Sequence, residues 1–178
     1  MIVAALAGRR VDAEGSSVDS FPAANVSAVQ KAIGRVFIEE RIELLVCSCA
    51  AGADILALQV AEQMHIDRRV ILPFDIDRFR ATSVVDRSDT WGASFDSLIE
   101  IAERSGQLRI IAGSRSDAAA FTETNRAIVK EAVAAAYPTK PVAILVWDGH
   151  PRSSADYTNE FRQFALQAGM RERVVPTR

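Results

Sequence analysis

The chain has 178 residues, of which 49% are hydrophobic, so it can bury one sizeable core and we expect a single domain. Its formal charge of -2, from 21 basic and 23 acidic residues, excludes a global bias toward nucleic acid or an anionic membrane. Its apolar runs are much shorter than the ~20 residues that cross a bilayer, and we therefore expect a cytoplasmic protein without membrane contact.

Apolar runs predict six buried parallel strands, at residues 2–7, 43–48, 69–73, 108–112, 142–147 and 173–175. Helical spacing of apolar residues predicts helices between them, at residues 22–40, 54–64, 90–104, 119–136 and 155–168. This alternation favours an α/β fold, a doubly wound Rossmann-like parallel sheet of about six strands with helices on both faces. Such sheets bind ligands beyond the carboxyl ends of their strands, so we look for function in the loops that follow strands.

The second predicted strand ends at small residues from which a helix starts. Small side chains let a ligand approach the backbone, and the N–H groups of a first helical turn favour an anion. We therefore predict that a phosphate binds the Ser48 hydroxyl and the amides of Ala50, Ala51, Gly52 and Ala53. We interpret Asp54 as a cap or first-turn residue of this helix, with a ribose hydroxyl as its alternative partner.

Two further loops carry arginines. Gly8-Arg9-Arg10 follows the first predicted strand, where an arginine can donate to a phosphate or a carboxylate, or can simply lie in an exposed turn. Residues 75–89 form a long polar stretch after the third predicted strand. This stretch is either a lid that brings Arg80 to an anionic ligand or a solvated charged loop.

The fifth predicted strand ends in Trp147-Asp148-Gly149, and a second helix start with small hydroxyl residues follows it. Ser153 and Ser154 at that start either bind an anion or cap the helix. Trp147 either stacks on a base or packs under the neighbouring strand, and Asp148 is a candidate acceptor from a ribose or a base. Two such junctions predict a crevice between them.

Four segments together resemble the SLOG superfamily, the Rossmann-like group that includes the LOG-type (lysine-decarboxylase-like) phosphoribohydrolases and the DNA-processing protein DprA. They are Gly8-Arg9-Arg10, Ala51-Gly52-Ala53-Asp54, Leu72-Pro73-Phe74 with residues 79–84, and Trp147-Asp148-Gly149. The resemblance spans nearly the whole chain. It implies a domain that binds or senses a nucleotide or a nucleotide-derived phosphate compound at the two helix starts.

Some members of the superfamily are N-glycosidases, and the resemblance makes hydrolysis of a nucleoside monophosphate the alternative function. Asp148, Asp156 and Glu160 are the candidates for its acid or nucleophile. The P-G-G-x-G-T-x-x-E motif of the LOG enzymes is absent, however, because Ser153-Ser154-Ala155-Asp156 and then Tyr157 stand at that place. Binding is therefore favoured over catalysis.

Other function classes have weaker support. Binding of single-stranded DNA, as in DprA, needs a basic stripe and stacking aromatics, whereas the net charge is negative and aromatics are only 7% of the chain. We expect no metal and no cofactor, since Cys47 and Cys49 have neither a second cysteine pair nor a nearby histidine in the sequence. Apolar faces of the predicted helices are compatible with a homodimer. Asn125 lies within a predicted helix, where polar residues are usually exposed.

Overall fold

The computed structural model describes residues 1–17, 19–111, 113, 116–152 and 155–178. These residues form a six-stranded, all-parallel sheet in the order β4-β3-β2-β1-β5-β6. Its strands are β1 Val3–Gly8, β2 Leu44–Cys47, β3 Asp67–Leu72, β4 Leu108–Ile110, β5 Val142–Trp147 and β6 Arg171–Pro176. The predicted α/β fold with a doubly wound parallel sheet is confirmed.

The α-helices in the described part of the chain are α1 Val26–Glu40, α2 Ala53–Gln63, α3 Ile76–Ser83, α4 Thr90–Arg104, α5 Asp117–Ala136 and α6 Tyr157–Gln167. A short 3-10 turn, Ala23–Asn25, precedes α1. Buried residues of α1, α2 and α4 form a core with one face of the sheet, while those of α5 and α6 form a second core with the other face. The central strands β1, β2 and β5 are buried on both faces, which explains their nearly continuous apolar runs, whereas the edge strands β4 and β6 are largely exposed.

The largest difference from the sequence expectation lies after β3. Residues 75–89 are not a structureless lid, because α3 occupies most of them and turns follow it. Asp75 caps this helix by accepting a hydrogen bond from the Arg78 amide at 2.9 Å. Phe79 and Ser83 are buried and hold α3 against the molecule. The predicted end of β4 at Ala112 lies outside the described residues.

Candidate ligand-binding site

A cleft of about 760 Å³ opens at the carboxyl ends of the central strands. The chain adds β2, β3 and β4 on one side of β1 and then places β5 and β6 on the other, so the strand order reverses between β1 and β5. The cleft lies at this switch point and is lined by loops after β1, β2, β3 and β5 together with the first half of α5. That is the position at which open α/β sheets bind ligands.

The structure brings several predicted residues together in this cleft. The predicted residues that line it are Gly8, Arg9, Arg10, Ser48, Ala50, Asp54 and Asp156. They come from three different loops, as expected from the ends of neighbouring parallel strands. Their contacts, however, differ from those predicted for a bound phosphate.

Arg9 binds the protein itself. Its side chain is only 3% exposed. It donates from Nε to Asp148 Oδ1 at 3.0 Å, from Nη1 and Nη2 to the two carboxylate oxygens of Asp156 at 2.6 and 3.0 Å, and from Nη2 to the carbonyl oxygen of His150 at 2.7 Å. The predicted partner of an arginine at this place was the phosphate or carboxylate of a ligand, whereas both carboxylates that Arg9 contacts belong to the chain.

The contacts with Arg9 also determine the roles of Asp148 and Asp156. Asp156 is the N-cap of α6, because it accepts from the Asn159 amide at 3.0 Å. Burial raises its pKa, but the hydrogen bonds from Arg9 and from the Arg152 and Asn159 amides outweigh burial and hold the pKa below its ordinary value. A carboxylate held ionised in this way is a poor general acid.

The remaining predicted groups near β5 lie outside the cleft wall formed by the described residues. Trp147 is 5% exposed and packs in the core on the α5 and α6 face, so the packing alternative for this residue is the one observed. Gly149 follows it in the β5–α6 loop. Glu160 accepts from the Thr122 hydroxyl at 3.0 Å beside α5. Ser153 and Ser154 lie outside the described residues.

The turn between β2 and α2 uses its own amides internally. The Ala50 amide donates to Asp54 Oδ2 at 3.1 Å, the Ala51 amide to the Ser83 carbonyl at 3.0 Å, and the Ala53 amide to the Arg9 carbonyl at 3.2 Å. The expectation that all four amides are available to a phosphate is therefore wrong for these three. Through these hydrogen bonds the turn connects the β1 loop with the end of α3.

Gly52 is required by a close approach of the chain to itself. Its φ is +110°, a conformation that L side chains rarely adopt. A Cβ at this position would lie 2.6 Å from the Val11 amide nitrogen and 2.9 Å from the Arg9 carbonyl oxygen. The prediction that Gly52 makes room for a ligand is therefore corrected, because the room is taken by the Arg9–Val11 backbone.

Asp54 lies in the first turn of α2, as predicted, but its carboxyl is buried at the cleft wall. It binds the Ala50 amide, which precedes the helix. Burial raises the pKa of Asp54 to about 7, and the hydrogen bond from Ala50 offsets only part of that shift. A carboxyl in a cleft with a pKa near neutrality is typical of functional sites.

Arg10, Arg87 and Arg152 form a group of cations on the cleft wall. Arg10 donates from Nη1 to the Asp86 carboxylate at 2.9 Å and to the Thr82 carbonyl at 3.1 Å. Burial lowers the pKa of Arg10, and the charges of Arg87 and Arg152 lower it further despite Asp86. Nε of Arg87 is buried without a hydrogen-bond acceptor among the described residues, and Asp86 Oδ2 lies 3.7 Å from it.

Aromatic side chains line another part of the wall. The Phe74 and Phe121 rings are 5.6 Å apart, and the Phe121 and Tyr157 rings are 4.8 Å apart. Asn125 is 7% exposed rather than solvated, and its side-chain amide donates to the Tyr157 carbonyl at 2.9 Å. Sequence reasoning missed Phe121, Asn125 and Tyr157 because they lie within helices, where a pattern does not show which turn reaches the cleft.

Arg80, predicted as an anion contact, is directed away from the cleft. It donates from Nε and Nη2 to the two carboxylate oxygens of Asp96 in α4, at 2.7 and 2.9 Å. A Cβ on Gly92 would lie 2.6 Å from Arg80 Nη2, so the guanidinium lies directly over that glycine. The arginines of the same segment that reach the cleft region are Arg87 and, on its rim beside Asp117, Arg78.

No family model matches this chain, and no curated protein matches it. None of the helices within the described residues is both long and apolar enough to cross a membrane. In the same part of the chain, no group of three or more histidine, cysteine, aspartate or glutamate residues is arranged to hold a metal ion. The geometry of the cleft is therefore what supports a function.

Proposed function

We propose that the cleft at the β1/β5 switch point binds a nucleotide or a nucleotide-derived phosphate compound. The arginines Arg10, Arg87 and Arg152 would hold the phosphate, and the aromatic side chains of the wall would face the base. The proposal differs from the sequence expectation in its phosphate-binding groups, which are guanidinium groups rather than the amides at the start of α2.

The grouping of these three cations carries the proposal. The charges of Arg87 and Arg152 lower the pKa of Arg10, so this grouping is unfavourable unless an anion compensates it, and Asp86 compensates Arg10 only in part. Arg87 Nε lacks an acceptor within the described residues, although it is buried. Such an N–H costs free energy until a ligand oxygen accepts from it. Arginine suits phosphate because its planar fork matches two phosphate oxygens.

The aromatic wall supports a ligand with a flat apolar part. Phe121 and Tyr157 are both half-buried, so part of each ring is accessible from the cleft. Stacking of a base on an aromatic ring contributes roughly 1–3 kcal/mol. The cleft volume of about 760 Å³ lies within the range of small-molecule sites.

We also propose the SLOG superfamily as the family of this chain. Its motifs in this sequence fall on the loops that meet at the cleft, and the all-parallel sheet agrees with a Rossmann-like domain. Binding rather than hydrolysis is proposed, because Asp148 and Asp156 are paired with Arg9 and Glu160 lies beside Thr122.

A thermal-shift panel of nucleoside monophosphates, nucleoside diphosphates, NAD derivatives and cyclic nucleotides tests the proposal. We expect at least one compound at millimolar concentration to raise the melting temperature, because a ligand that binds only the folded state stabilises it. If a folded sample is stabilised by none of them, the proposal is wrong.

Single substitutions locate the site. Arg10→Gln and Arg87→Gln each remove one cation from the cleft, and we expect the dissociation constant of the best ligand to rise about tenfold or more, as for a charge-assisted hydrogen bond. Arg80→Gln is the matched control, since that guanidinium pairs with Asp96 outside the cleft. Equal effects of all three substitutions would place the ligand elsewhere. Release of free base from nucleoside monophosphates, measured on the same samples, would instead show hydrolysis.

A further inference from the structure

The Asp54 carboxyl lines the cleft in which an anion is proposed to bind. It is 8% exposed and forms part of the cleft wall. Within the described residues, its hydrogen-bond donor is the Ala50 amide, which reaches Oδ2 and leaves Oδ1 without a donor. A buried carboxylate with so few donors is poorly compensated in its ionised form.

Backbone pairing joins the segment that carries Arg10 to the segment that carries Asp54. Arg10 and Gly52 form an isolated antiparallel bridge, with the Val11 amide donating to the Ala51 carbonyl at 3.3 Å. Asp54 follows Gly52 by two residues, in the first turn of α2. The β1 loop that carries Arg10 is therefore fixed to the start of the helix that carries Asp54.

Among the described residues, the interaction that favours the ionised form of Asp54 is the hydrogen bond from the Ala50 amide, and burial opposes it. The Cys47 and Cys49 thiols of β2 and its extension are completely buried, and burial raises the pKa of both thiols, which the charge of Asp54 raises further. The charged groups that line the cleft from the other elements are Arg9, Arg10 and Asp12 from the β1 loop, Arg87 from the segment after α3, Asp117 from α5, and Arg152 and Asp156 from the β5–α6 loop.

We propose that Asp54 binds the ligand in its protonated form, donating a hydrogen bond from its carboxyl to an oxygen of the anionic group, so that an ionised Asp54 takes up a proton when the ligand binds. This inference rests on the proposed function, because it assigns Asp54 to the same site. The ionised carboxylate would repel the ligand, whereas the protonated carboxyl is a donor that complements the arginines. One carboxylate oxygen of Asp54 gains the proton that the solvent loses, so the proton transfer is balanced.

Titration calorimetry tests the inference with ligands whose own charge does not change. The probes are ADP-ribose, cyclic AMP and inorganic sulfate, since a phosphomonoester would itself titrate with a second pKa of about 6. Each is titrated near neutral pH in two buffers of different ionisation enthalpy, and the difference in heat gives the number of protons taken up. We expect an uptake of about half a proton at the pKa of Asp54 and a weakening of up to about tenfold per pH unit above it.

Variants assign the proton to its residue. Asp54→Asn keeps an oxygen that can accept from the Ala50 amide, and we expect this variant to bind with no proton uptake and with affinity independent of pH. Asp96→Asn is the control, because Asp96 pairs with Arg80 outside the cleft, and its uptake should equal that of the unmodified protein. If Asp54→Asn does not fold, Asp54→Ser serves in its place.

The outcomes separate the two proposals. Binding of a probe without proton uptake, or uptake that persists in the Asp54 variants, overturns the role of Asp54 and leaves the proposed function intact. If no probe and no compound of the thermal-shift panel binds the folded protein, both the proposed function and the role of Asp54 are wrong. Uptake that is lost only in the Asp54 variants supports both.

Discussion

Arg9 and Arg10 are adjacent at the end of β1 but lie in opposite environments. Arg9 is 3% exposed and is surrounded by the carboxylates of Asp148 and Asp156. The Arg10 side chain is 27% exposed and has two further arginines, Arg87 and Arg152, among the charges that affect it. Because successive residues of an extended strand point to opposite sides, one arginine enters the β5–α6 side and the other turns toward α3.

The difference shows how an arginine that holds the fold can be told from one available to a ligand. The charge and donors of Arg9 are satisfied within the chain, so this residue fixes the β5–α6 loop in position. Arg10 shares its region with cations that Asp86 only partly neutralises, so an added anion would be favourable there. Proximity to a cleft is thus weaker evidence for ligand binding than the balance of charge around the side chain.

The largest expected effect is that of removing Arg9. Arg9→Met leaves Asp148 and Asp156 as buried, unpaired carboxylates, and breaking a buried ion pair costs about 3–5 kcal/mol. Urea unfolding should show this loss in the free energy of unfolding. Arg10→Gln, at the neighbouring position, should cost no more than about 1 kcal/mol, as for a partly exposed pair. Similar losses in the two variants would contradict the contrast between the two arginines.

The fold was predictable from the sequence to the extent that burial dominates it. Each strand buried on both faces, such as Val142–Trp147, has an apolar run that sequence alone identifies. Helix α3 was missed because Ile76–Ser83 is short and polar and buries only Phe79 and Ser83, so its periodicity is weak beside its charges. Asp75 caps α3, but a capping residue that is followed by no apolar stripe does not distinguish a helix from a polar loop.

The candidate site was predictable in position but not in contacts. The rule that ligands bind beyond strand ends placed the cleft correctly. Hydrogen bonds of Arg9 to Asp148 and Asp156 join residues that are 139 and 147 positions apart, and spacing along the sequence carries no information about them. For Gly52 the sequence indicates a close approach, but it does not show whether a ligand or the chain itself approaches.

Gly52 lies against the Arg9–Val11 backbone, which carries both of the arginines compared above. Gly52→Ala should cost about 2–3 kcal/mol, from strain at φ +110° and from displacement of the Val11 amide at 2.6 Å. Gly15→Ala is the matched control. Gly15 has a φ of +72° but open space where the Cβ would lie, so it reports backbone strain alone. If thermal and urea unfolding show equal losses for both variants, the close approach at Gly52 contributes little.

Asp54→Asn should stabilise the protein at alkaline pH by about 1–2 kcal/mol. The pKa of Asp54 is raised in the folded protein to about 7, so its protonated form contributes stability at low pH, and this contribution is lost as pH rises from the ordinary value toward 7. One pKa unit corresponds to about 1.4 kcal/mol, which sets an upper limit of about 4 kcal/mol. The gain should be absent near pH 4 and constant above pH 8 in urea unfolding. A gain of equal size at both pH values would mean that the Asp54 charge is not its cause.

Arg80→Gln should have the smallest effect of all. Its bidentate pair with Asp96 is largely exposed to solvent, and such pairs contribute little to the free energy of unfolding. Because Arg80 lies over Gly92, away from the cleft, we expect no change in ligand affinity in the same titrations that reveal Arg10 and Arg87. A large loss of affinity in this variant would mean that Arg80 contacts the ligand. Helix α3 would then have to move when the ligand binds. The contrast between Arg9 and Arg10 would then hold for the ligand-free protein alone.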